Sequence, residues 1–117
     1  MSDDYTVITV SEESLLTEVR LYDETLGEIA TKHVETTTLE PSLRTALIQA
    51  VADPTSIHVS TTDPERGVVF VNEAVTPFGE YVVVPVRRVT ETSGRVATAY
   101  ISGDSYRGRI LWSADNE

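Results

Sequence analysis

The stretch from Glu80 to Ile101 constrains this chain more than any other. It reads Glu-Tyr-Val-Val-Val-Pro-Val-Arg-Arg-Val, then Thr90-Glu-Thr-Ser-Gly94, then Arg-Val-Ala-Thr-Ala-Tyr-Ile. Two β-rich runs around a short polar loop ending in Gly specify an antiparallel hairpin. The first run is apolar at both parities from Tyr81 to Val86, which predicts a central strand covered on both faces. Strict alternation in the second run would put Val96, Thr98 and Tyr100 on one face and Ala97, Ala99 and Ile101 on the other. Arg87, Arg88, Thr98 and Tyr100 are then the polar groups of a hydrophobic platform, and any chemistry is expected near them.

The elements before and after this hairpin follow from periodicity and turn residues. Tyr5–Val10 and Glu18–Tyr22 alternate as strands, joined by Ser11-Glu-Glu-Ser-Leu-Leu, which reads as a capped turn of helix or a tight connection. Asp23 is the expected N-cap of a helix whose apolar stripe is Leu26, Ile29, Ala30 and His33. Pro41 is expected in the first turn of a second helix with the stripe Leu43, Ala46, Leu47, Ala50 and Val51, stopped at Asp53-Pro54. Strands follow at 57–61 and 68–72, with turns at 63–67 and 76–79, a loop at 103–108, and a last extended segment at 109–112. The expectation is one α+β domain over residues 1–117, residues 1–4 frayed. Two N-terminal helices would pack on a four-stranded or larger antiparallel meander.

Composition excludes several classes. There is no cysteine, so neither disulfides nor a thiolate metal site can form. No apolar run approaches the roughly 20 residues of a membrane span, and the acidic start lacks a signal-peptide layout, so a cytosolic location is expected. Nineteen acidic residues against nine basic give −10, and with Lys32 the only lysine, eight of the nine are arginines. This resembles the salt-adapted composition of halophiles. At about 1 M salt the Debye length falls to about 3 Å, so acidity does not exclude an RNA partner. The competing reading is an acidic surface that mimics nucleic acid for a basic partner.

Five stretches together resemble a known group. The order Leu-x-Asp-Glu-Thr-Leu-x-x-Ile-x-x-x-His-x-Glu covers 21–35. Next comes Ile48–Pro64, with its two Asp-Pro pairs around Ile57 and Ser60. Last are Tyr-Val-Val-Val (81–84), Val-x-Thr-Ala-Tyr (96–100) and Gly-x-x-x-Trp (108–112). From about residue 19 to 112 this is similar to the small phage- and plasmid-associated RNase-like domains of the barnase, EndoU, colicin and RelE fold group. The chain departs from the pattern at Lys32-His33-Val34-Glu35, where Arg-His-Pro-Glu is usual. It departs at Val69–Asn72, where a basic, aromatic strand is usual, and at Pro85 inside the central strand.

The resemblance implies metal-independent cleavage of RNA, in which a ribose 2′-hydroxyl attacks the adjacent phosphate. That reaction needs a proton acceptor, a proton donor and a cation. It implies no cofactor and no metal, and a toxin or effector held by a protein partner such as an antitoxin. The matched catalytic candidates are His33 for proton transfer, Arg87 or Arg88 for the phosphate, and Thr98. Glu35, Asp63 and Tyr100 are the candidates for substrate contact. At most one of Arg87 and Arg88 can serve, since neighbours on a strand point to opposite faces. His58 is expected as a partly exposed strand residue and Trp112 as a core-closing aromatic. The runner-up is a non-catalytic member of the same fold acting as a protein-binding module, and the third reading is a plain structural protein.

Overall fold

The computed structural model describes residues 4–10 and 16–114; the capped turn expected at 11–16 lies, but for Leu16, outside the described residues. The elements are β1 (Tyr5–Thr9), β2 (Glu18–Tyr22), α1 (Asp23–Lys32), a 3-10 turn (Val34–Thr38), α2 (Leu43–Ala52), β3 (Ser56–Val59), β4 (Gly67–Thr76), β5 (Gly79–Arg88), β6 (Ser93–Val96), β7 (Tyr100–Ser102) and β8 (Ile110–Ser113). The eight strands among the described residues form one sheet in the order β1-β2-β6-β5-β4-β3-β8, with β7 continuing beyond β6 along the same side of β5. Every pairing is antiparallel except β2 with β6.

The fold is therefore α+β with two helices, as expected, but the meander is a part and not the whole. Two strands precede the helices and extend the sheet past β6. Alternation reveals a strand without naming its neighbour. Val19 and Leu21 are fully buried, and β2 gains its place beside β6 by pairing Glu18, Val19 and Arg20 with Ser93, Gly94 and Arg95.

Both helices cover one face. Ile29 of α1 and Leu47, Ala50 and Val51 of α2 meet Ile8, Val19, Leu21, Ile57, Phe70, Val82, Val84, Val86 and Val96 in a continuous core. The second stripe is as the sequence predicts, but the caps differ. Ser42, not Pro41, opens α2, its hydroxyl accepting from the Thr45 amide at 3.1 Å, while Asp23 is already the first helical residue of α1 and caps nothing. Asp53 ends α2 as expected.

β5 is central and buried on both sides. Val82, Val84 and Val86 face the helices, while Val83 joins Val69 and Val71 in a smaller cluster under Tyr81, Tyr100 and Tyr106 on the other face. Trp112 is half-buried against the main core, in keeping with a core-closing role.

Pro85 fits this central strand because of what lies opposite. Val86 pairs with Val96 and Val83 with Tyr100, so three steps on β5 face four on the other strand. One extra residue between β6 and β7 is a bulge. The Pro85 carbonyl accepts from the Ala97 amide at 2.9 Å, so its missing N–H falls on the bulged side, where the ladder is already interrupted. The bulge also corrects the parity expected from alternation. Val96 and Ala99 both reach the helix-side core, and Tyr100 turns to the opposite face.

Candidate active site

His33 sits where α1 hands over to the 3-10 turn. Its amide bonds back to the Ile29 carbonyl at 2.8 Å, and its own carbonyl accepts from the Thr36 amide at 2.9 Å and the Thr36 hydroxyl at 2.7 Å. Thr37 and Thr38 repeat this pattern, donating to the Val34 and Glu35 carbonyls, each at 2.7 Å. Threonine hydroxyls favour such local turns over helix continuation. The Thr36-Thr37-Thr38 run thus ends the helix and fixes the directions of His33 and Glu35.

The imidazole is not sealed in the core. Its side chain is 35% exposed, with Nδ1 3.8 Å from a Glu35 carboxylate oxygen. Its ring lies 6.0 Å from that of Tyr100, tilted by 40°. Tyr100 borders two environments at once. On its other flank it lines a cavity of about 220 Å³ with Thr61, Val83, Ser102, Tyr106 and Arg107. Burial, and then the neighbouring Tyr106, pushes the Tyr100 phenol above its ordinary value, which keeps it a neutral hydrogen-bond donor.

The remaining expected residues distribute around this group. Thr98 lies in the bulge two residues before Tyr100 and is half-buried. Arg87 alternates with buried Val86 and so shares the face of Tyr100; it is four residues along β5 from Val83, the partner of Tyr100, roughly 13 Å at strand spacing. Arg88 points to the helix side, and its Nε is buried with no hydrogen-bond partner among the described residues. Asp63 closes the β3–β4 turn through its carbonyl, which accepts from the Gly67 amide at 2.6 Å. The structure therefore gathers His33, Glu35 and Tyr100, with Thr98 close in sequence, and leaves Arg88 on the far face.

Two features escaped the sequence reading. Arg107 lies in the loop after β7 and lines the Tyr100 cavity together with the acidic Asp104 of the same loop; the Tyr-Arg pair in that loop was its only signal. The second is His58, which is 3% exposed and not a partly exposed residue. Its Nδ1 lies 2.9 Å from the Gly108 carbonyl and its Nε2 2.8 Å from the Ser56 hydroxyl. Since a carbonyl only accepts, Nδ1 carries the proton and Nε2 accepts from Ser56. The Tyr106 ring meets His58 edge-on at 5.6 Å, and its hydroxyl accepts from the Thr61 amide at 2.8 Å. This latch holds the 103–109 loop over the second face, with Arg107 beside Tyr100. Among the described residues no group of three or more acidic or histidine side chains could hold a metal ion, and no helix is long and apolar enough to cross a membrane.

No family model matches the chain, no curated protein matches its sequence, and no solved structure matches its fold.

Proposed function

We propose that this protein is a small ribonuclease of the toxin or effector kind, cutting RNA without a metal, with His33 as its proton-transfer group. The observation that carries the reading is the placement of a part-exposed imidazole beside the Tyr100 phenol and the Glu35 carboxylate, at the edge of the sheet.

In this reading His33 takes the proton of a ribose 2′-hydroxyl as its oxygen attacks the neighbouring phosphorus. The bond from phosphorus to the 5′-oxygen breaks, and that oxygen receives a proton from the resulting imidazolium or from water. The products are a 2′,3′-cyclic phosphate and a 5′-hydroxyl. Histidine suits both halves because its charge ordinarily changes near neutral pH. Glu35 steadies the imidazolium, and Tyr100 donates a hydrogen bond to a phosphoryl oxygen. Arg107, or Arg87 further along the face, supplies positive charge as the transition state forms.

The test is a labelled RNA incubated in concentrated salt with EDTA. Cleavage by the wild type that disappears in His33→Ala supports the assignment. RNA left equally intact by both proteins overturns it.

A further inference from the structure

The open face of the sheet carries a feature that reaches well beyond the cleavage site and meets it only at Arg87. Arg20 of β2 lies opposite Arg95 of β6, and Arg95 lies opposite Arg87 of β5. These residues alternate with Val19, Leu21, Gly94, Val96 and Val86, all buried on the helix side, so three of the eight arginines stand in one row on the face without helices.

Like charges directly opposite in a sheet are destabilising, and the chain has nineteen acidic residues from which to place a counter-charge. Yet among the described residues none of the three arginines is within ion-pair distance of a carboxylate. Glu18, two residues before Arg20 on the same strand, acts on it only through space. Aromatic rings support the row instead. The Arg20 guanidinium lies 4.6 Å from the Tyr5 ring centroid and 3.5 Å from the Tyr22 hydroxyl, and Arg95 lies 4.6 Å from the Tyr22 ring centroid. Such stacking orders a cation without neutralising it. At the other end of this face stands an acidic residue, Glu73 of β4, which shares the parity of Val69 and Val71 and lies opposite Tyr81, so the face is electrically polar along its strands.

We propose that the Arg20–Arg95–Arg87 row is a binding track for single-stranded RNA, with phosphates on the guanidiniums and bases stacked against the Tyr5 and Tyr22 edge. A flat, open platform of cations and aromatic rings fits a splayed strand. The choice of RNA rests on the ribonuclease reading, and the track delivers the strand along β5 toward Tyr100.

The experiment uses a fluorescent uridine oligonucleotide bound to the full chain carrying His33→Ala, which preserves the RNA, with anisotropy read over a salt series. Each phosphate contact contributes about 0.7 to the slope of log affinity against log salt for single strands. Replacing all three arginines by serine is expected to flatten the slope by about 2, and replacing them by lysine to retain it. An unchanged slope in the serine variant overturns the track. Displacement of the RNA by polyglutamate of equal charge, as readily as by unlabelled RNA, also overturns it, in favour of an acidic protein partner. Binding that shows the arginine dependence, with no cleavage by wild type, supports the track and rejects the nuclease.

Discussion

Removing the Ser56 hydroxyl tests how the loop over Tyr100 is held. His58 is 3% exposed and its Nε2 has Ser56 as its partner at 2.8 Å. Ser56→Ala leaves that acceptor without its donor, and an unsatisfied buried polar group costs about 1–3 kcal/mol. Ser56 and His58 also line a cavity of about 190 Å³ with Glu73, Tyr81 and Ser105. That space is polar and large enough for a water to replace the hydroxyl. The lower end of the range therefore applies, about 1 kcal/mol. At about 2.1 cal/mol/K per residue, 117 residues unfold with an entropy near 0.25 kcal/mol/K. The variant should then melt about 4 °C below wild type in calorimetry at matched salt. His58→Leu removes the acceptor but strands the Gly108 carbonyl, so the double variant should melt higher than the two single shifts added together. A Ser56→Ala shift within about 1 °C of zero, or additive shifts in the double variant, would show that no such latch operates.

Other outcomes follow from single side chains. Phe70→Ala opens a hole at the centre of the main core, where Phe70 is fully buried, and should cost about 3–5 kcal/mol in denaturant titration; a loss below 1 would contradict its central place. Ser42→Ala removes the α2 cap and should cost about 1 kcal/mol, while Pro41→Ala should not weaken that cap. Tyr100 is raised in the folded state, so the stability it contributes is complete below about pH 10 and declines as pH climbs through its folded value. Tyr100→Phe should remove a tyrosinate step that lies above the ordinary tyrosine value in an absorbance titration; a titration unchanged at its alkaline end would contradict that shift.

What the sequence disclosed divides along physical lines. The α2 stripe and the doubly covered β5 were legible because burial writes itself into periodicity. Leu47, Val51, Val82, Val83 and Val84 occupy the predicted environments. The face of Tyr100 was not legible, because one inserted residue reverses parity and leaves no mark in composition. Its trace was on the facing strand, where Pro85 requires an interrupted ladder. The partner of β2 was hidden for a related reason, since alternation fixes a face and not a neighbour. His33 became a candidate through the family resemblance, its own helix pattern marking it only as part of an apolar stripe, and the threonines that orient it drew no notice. Arg20 and Arg95 drew no notice because their alignment exists only once the register of three strands is known.

End-group analysis of RNA incubated with the protein tests the proposed mechanism most directly. Mass spectrometry of fragments made in EDTA should find 2′,3′-cyclic phosphate and 5′-hydroxyl termini, absent from the His33→Ala reaction. Fragments ending in 3′-hydroxyl and 5′-phosphate would mean that water and not the ribose attacks, and would contradict the role assigned to His33.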